Sequence, residues 1–137
     1  MFHYRKNLKK YKNYPKSAVC QFCEEKIFKT AVEETKYAFV VPNRIFYDLW
    51  ELRAVTDHLM IIPRRHVKSL HELNKLERAD IIDLMCKYEN QNYNVYARSK
   101  DSKQRSVGHQ HTHLIKTHDK QARGLLNLQR PYVFIKF

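Results

Sequence analysis

The stretch His109-Gln110-His111-Thr112-His113-Leu114-Ile115 decides how this sequence is read. From His109 to Lys116 the residues alternate in the period of a β-strand, so 109, 111 and 113 fall on one face, roughly 6 to 7 Å apart along the chain. Three imidazoles therefore stand in a row. Imidazole titrates near neutrality and serves as nucleophile, proton carrier or metal ligand, so the row points to chemistry more than to a merely polar strand face.

Working outward, Tyr93-Asn94-Val95-Tyr96-Ala97 also alternates, and the polar loop from Ser99 to Gln104 is short enough to predict an antiparallel neighbour. Before it, Asn74 with Glu77 three residues on has the form of a capping box, and Leu76, Ile81, Leu84, Met85 and Tyr88 recur at helical spacing. This predicts one amphipathic helix over about 75 to 90, with Cys86 packed inside. Further upstream, Tyr37-Ala38-Phe39-Val40-Val41, stopped by Pro42-Asn43, and His58-Leu59-Met60-Ile61-Ile62, stopped by Pro63, predict two more strands. Between them, 44–57 carries Phe46, Tyr47, Leu49 and Trp50 without a clean period; it reads as an aromatic-rich excursion lining a pocket or packed over the core. Tyr132-Val133-Phe134-Ile135-Lys136-Phe137 has the residue types of a fifth strand.

A chain of 137 residues accommodates one core, so a single domain over 1–137 is expected: a basic arm over 1–16, a core over 17–118 and a strand segment over 119–137. Twenty-six Lys and Arg against fourteen Asp and Glu leave a charge of +12, a field that draws in polyanions. Arg5, Lys6, Lys9, Lys10, Lys12 and Lys16 put part of that excess in the arm, which serves either as a solvated tail or as a contact for nucleic acid. No apolar run approaches the roughly 20 residues of a membrane span, and the N-terminus lacks the apolar core of a signal peptide. No membrane association and a cytoplasmic location are expected. Three cysteines fit a reducing compartment better than a disulfide framework.

Cys20-Gln21-Phe22-Cys23 spaces two thiols as a metal grip, although a Cys pair alone is also compatible with redox chemistry or simple burial. A structural zinc needs two further ligands, for which His58, His66, His71 and the triad are the candidates. His66 closes Pro63-Arg64-Arg65-His66, a rigid turn past a strand end.

Taken together, the triad with its two following apolar residues, Cys20-Gln21-Phe22-Cys23, the run from His58 to His66, and Ser106-Val107 ahead of His109 resemble the histidine-triad family over about Cys20 to Lys116. The resemblance is to the zinc-binding, bacterial type of member. It implies an α+β fold with an antiparallel sheet of about five strands and one main helix, a zinc-stapled N-terminal segment, assembly as a homodimer, and a nucleotide bound beside the triad. It implies structural zinc on Cys20, Cys23, His66 and His109, in a closed shell with no position open to substrate. It puts the nucleophile at His111, attacking an α-phosphorus to give a nucleotidyl-histidine, as in hydrolases and nucleotidyl transferases acting on nucleoside phosphoramidates or dinucleoside polyphosphates. His113 and Ser106 would contact the phosphate or the leaving group, His58 would support the active-site ring, and Asn43 would bind the ribose.

Two departures stand out. Where the family often has Gln before the serine and Asn near position 98, this chain has Arg105 and Arg98, two cations suited to a more highly charged substrate. The 44–57 segment also exceeds the family's common short linker. His71 and His118 match nothing and read as surface residues. Two other classes compete: a zinc-stabilised nucleic-acid-binding module, which explains the charge but wastes the triad, and a metallohydrolase holding one catalytic ion on His109, His111 and His113, whose outer members are too far apart on a straight strand.

Overall fold

Ala38-Phe39-Val40-Val41 and Leu59-Met60-Ile61-Ile62 are apolar at every position, the mark of strands covered on both faces, and the computed structural model shows why. It describes residues 9, 10, 12, 13 and 18–121. Most of the basic arm and the strand expected at 132–137 lie outside the described residues. Strands β1 (Glu33–Glu34), β2 (Ala38–Pro42), β3 (Leu49–Trp50), β4 (Arg53–Pro63), β5 (Asn94–Ala97) and β6 (Thr112–Gln121) form one sheet in the order β1-β2-β4-β6-β5, with β3 pairing on β4. All pairings are antiparallel. The fold is α+β, and the two-residue strands β1 and β3 bring the sheet to six strands.

Alternation sorts the apolar run onto two faces. Ala38, Val40, Leu59, Ile61 and Leu114 point to helix α2 (Lys75–Glu89) and pack on Ile81, Leu84 and Tyr88. Phe39, Val41, Met60 and Ile62 point the other way, under Phe22 and Ile27 of the N-terminal segment, which contains the short helix α1 (Glu25–Phe28). Each fully buried side chain of this kind contributes about 1.5 to 3 kcal/mol.

Helix α2 starts where the sequence indicates. The Asn74 side chain accepts from the N–H groups of Leu76 and Glu77, and the Glu77 carboxylate accepts from Asn74 N–H, completing the capping box. The expected apolar stripe needs two corrections. Leu76 is 62% exposed, because at the first turn its place on the inward face is taken by buried Glu77, which pairs with Arg65. Cys86 is exposed as well, on the side of the helix away from the sheet.

The 44–57 segment is also more ordered than its sequence suggested. Its second half forms a hairpin: Trp50 pairs with Arg53 across Glu51-Leu52, two residues at φ 49° and 60°, as a type I′ turn requires. The missed signal is the absence of Gly or Asn at those positions. Strand β4 therefore begins at Arg53, five residues before the apolar run.

At its other end β4 limits β6. Pairing with β6 runs to Ile61↔Thr112 and stops short of Pro63, which has no N–H for a ladder. Regular strand thus begins at Thr112 and not at His109; Gln110 N–H donates instead to Val67 O at 2.7 Å.

Asn74→Ala should cost about 1 kcal/mol, the usual worth of an N-cap. Denaturant unfolding should report it as a lower midpoint at unchanged slope.

Candidate active site and metal centre

Four ligating side chains converge from three separate parts of the chain. A 3-10 turn at Gln21–Cys23, closed by Cys23 N–H donating to Cys20 O at 2.9 Å, brings the two thiols together. His66 comes from the turn after β4. Arg65 anchors that turn, with Nε and Nη2 donating to the Glu77 carboxylate at 2.9 and 2.7 Å. His109 comes from the bend before β6. Its Nδ1 lies 3.6 Å from Cys20 Sγ and 3.5 Å from Cys23 Sγ, and His66 Nδ1 lies 3.4 Å from Cys23 Sγ.

All four ligand atoms lie within 4.8 Å of one another. With metal–sulfur bonds of about 2.3 Å and metal–nitrogen bonds of about 2.0 Å, the sulfur–nitrogen edge of a tetrahedral site is about 3.5 Å. The donor set therefore fits a metal ion. His109 Nε2–H donates to Pro63 O at 2.9 Å, which turns the Nδ1 lone pair toward the thiols. Burial lowers the His109 pKa to about 4, so the ring is neutral, as a ligand must be. Burial and the adjacent Cys20 push the Cys23 thiol up, a cost that a cation between the two sulfurs would reverse.

The other two triad histidines lie outside this ligand group. Register explains their placement: His113 pairs with Met60, so it shares the sheet face of Met60 and His58. His111 Nδ1–H donates to His109 O at 2.9 Å, which leaves the lone pair on Nε2. Burial lowers the His111 pKa, with Arg105 and Arg98 adding to the effect, and keeps that lone pair available at neutral pH. Phe22, from the middle of the Cys turn, packs edge-on against both His109 and His111, with centroids 6.1 and 5.1 Å away. The four-ligand cluster and the His111 ring thus share a wall.

His58 and His113 form a pair whose proton positions follow from one backbone donor. Tyr47 N–H donates to His58 Nδ1 at 3.1 Å, which makes Nδ1 an acceptor and puts the ring proton on Nε2. That proton is donated to His113 Nδ1 at 3.0 Å, which leaves the His113 proton on Nε2, 3.4 Å from the Tyr47 hydroxyl. Burial, then His111 and His58, lower the His113 pKa strongly, so the ring acts as a neutral donor.

The remaining expected residues are placed unevenly. Asn43 is half-buried beside His58, its amide nitrogen 3.3 Å from Nε2, and its Oδ1 accepts from Ile45 N–H. Ser106 is exposed in the loop ahead of His109. Arg98 reaches the site: Nη2 donates to the Tyr47 hydroxyl at 3.3 Å, Nη1 to Gln104 at 2.8 Å, and the guanidinium lies 5.4 Å from the Tyr96 ring centroid. Arg105 is tied into the loop instead, donating to Lys68 O, Val107 O, Gly108 O and Gln110 Oε1 at 2.6 to 3.2 Å. These bonds tie Arg105 to the approach to His109. His71 and His118 are exposed. Among the described residues the metal-ligating group includes only His109 of the triad, which argues against one ion shared by all three. Sequence reasoning gave no role to Phe22, although its position between two cysteines was an available signal; Tyr47 was read only as one of the aromatics of 44–57, and its contacts with His58 and His113 were not foreseen.

No family model matches the sequence. The adenosine 5'-monophosphoramidase hnt1 of Schizosaccharomyces pombe is 31% identical over 100 residues, covering 70% of this chain and 72% of that protein. Among solved structures, a hypothetical protein from Leishmania major is 27% identical at a TM-score of 0.58, covering 88% of this chain and 85% of that one. A HIT family hydrolase from Clostridium thermocellum has the same fold at a TM-score of 0.56 and 21% identity, covering 80% of this chain and all of its own. With the triad and the paired histidines in place, this chain belongs to the histidine-triad family. It is a hydrolase of that family. Among the described residues no helix is long and apolar enough to cross a membrane.

Cys23→Ser should remove metal binding and lower the melting temperature, since binding by a structural site contributes directly to folding. Elemental analysis of wild type and variant, beside thermal unfolding, checks both; a metal-free wild type of unchanged stability would sink the assignment.

Proposed function

We propose that this protein is a nucleotide hydrolase or nucleotidyl transferase that cleaves at the α-phosphate of nucleoside phosphoramidates or dinucleoside polyphosphates through a nucleotidyl-His111 intermediate. The observation that carries this reading is the bond from His111 Nδ1–H to the His109 carbonyl, which leaves Nε2 as a neutral nucleophile. Nε2 attacks the α-phosphorus, and the bond to the leaving oxygen or nitrogen breaks with its electron pair. In the second step water or another acceptor attacks the same phosphorus and the Nε2–P bond breaks. His113 donates through Nε2–H to the phosphate or leaving group, supported by His58, and Ser106 adds a hydroxyl contact. Asn43 binds the ribose. Arg98 offers its charge to additional phosphates.

The metal is zinc, held by Cys20, Cys23, His66 and His109, two thiolates and two imidazoles being a common structural zinc set. In a closed shell it supplies folding energy and no open coordination position for substrate. The assembly is a homodimer in the cytoplasm, and the basic arm is the part of the chain suited to a nucleic acid.

His111→Asn should abolish turnover while leaving metal content and fold unchanged. Quenching wild type during turnover of a nucleoside phosphoramidate should trap an acid-labile nucleotidyl adduct, which mass spectrometry locates on His111; an adduct on His113 would reassign the nucleophile. Arg98→Gln should weaken binding of polyphosphate nucleotides relative to the monophosphate by about 1 to 3 kcal/mol, the worth of a charge-assisted bond. Equal losses for both would show that Arg98 does not read the extra phosphates.

A further inference from the structure

The His58–His113 pair is gripped at both ends by a single residue from outside the family's motif. Tyr47 lies eleven positions before His58, and the hairpin folds it back over the paired rings. Its backbone N–H donates to His58 Nδ1 at 3.1 Å. Its hydroxyl receives His113 Nε2–H at 3.4 Å and Arg98 Nη2 at 3.3 Å. Its ring lies 4.5 Å from His58, 5.4 Å from His113 and 6.0 Å from Trp50 between centroids, and it is 5% exposed. Beside the hairpin the β4–β6 ladder is irregular: its register shifts between Arg53 and Val55, where β6 carries the extra residues, and again between Val55 and Asp57, where β4 carries one. Such bulges bend a strand and redirect what it carries.

We infer that Tyr47 is a positioning residue for catalysis: its backbone sets the tautomer of the His58–His113 pair, and its hydroxyl fixes the direction of His113 Nε2–H and its spacing from Arg98. This rests on the nucleotidyl-transfer reading of the same site. A loosened His113 ring would still let nucleotide bind but would misalign a donor in the transition state, where small displacements cost rate. The backbone contact survives any substitution at 47, so the hydroxyl is the part that mutation can test.

Tyr47→Phe keeps the ring that packs on His58 and His113 and removes only the hydroxyl. Its kcat on a nucleoside phosphoramidate should fall by on the order of tenfold to a hundredfold, with KM changed by less than about twofold, and with melting temperature and metal content as in wild type. Single-turnover quenching should show slower formation of the adduct. Tyr47→Leu, measured beside it, removes the ring as well. If Tyr47→Phe matches wild type in kcat while Tyr47→Leu is unstable or inactive, the residue only fills space and the inference falls. If Tyr47→Phe instead loses rate together with melting temperature, its role is structural and the inference falls equally. Wild type run in parallel separates the two levels: no adduct in wild type overturns the nucleotidyl-transfer reading, whereas a wild-type adduct with unaffected Tyr47→Phe kinetics overturns only the role given to Tyr47.

Discussion

The register Met60↔His113 between β4 and β6 is the constraint on which the rest of the molecule depends. It puts His113 on the face of His58 and leaves Leu114 to enter the core beneath α2. A slip of one residue would turn His113 into the apolar layer and Leu114 into the site. Burial on both sides of the sheet forbids that exchange, since two imidazoles cannot replace aliphatic side chains without losing their partners. Chemistry and stability are thus specified by the same pairing.

From that register follows a division of labour among histidines of the same chemical type. Hydrogen bonds decide it, by fixing which nitrogen keeps its lone pair. The Pro63 carbonyl turns His109 toward the thiols, the His109 carbonyl turns His111 outward, and the Tyr47 amide sets His58 and through it His113. Three of these four assignments rest on backbone groups. The orientation of the site is therefore a property of strand ends and one hairpin, which substitution of side chains around it leaves largely in place. Glu77 extends the same economy, capping α2 while holding Arg65 and with it the turn that carries His66.

Much of this was legible in the sequence, for identifiable reasons. The doubly apolar strands and the Asn74 capping box are local patterns that the structure reproduces, whereas the strand expected from His109 begins only at Thr112, so of the triad only His113 lies on it. Cys20, Cys23, His66 and His109 came together as the family resemblance implied. What escaped the sequence depends on groups far apart in it. Leu76 fits the helical stripe, but Arg65 draws Glu77 into that position. The four acceptors to which Arg105 donates are brought to it by the loop, and its sequence position does not show them. The hairpin carrying Tyr47 has no Gly or Asn in its turn, so neither its existence nor its aim could be deduced.

The separation of the metal ligands along the chain bears on how the protein matures. Cys20 and His109 are 89 residues apart, and between them run every strand of the sheet except β6. During synthesis the cysteine turn leaves the ribosome first, while the last ligand arrives only when the domain is nearly complete. Closing so long a loop early would be entropically unfavourable without the sheet to hold its ends together. Phe22 and Ile27 cover Phe39, Val41, Met60 and Ile62, all of which lie between Cys23 and His66 in the sequence, so this apolar face can close before His109 is made. The four-ligand set is thus complete only after the apolar face beneath the cysteine turn can already have formed, which makes the assembly of that set a late event in the making of the chain.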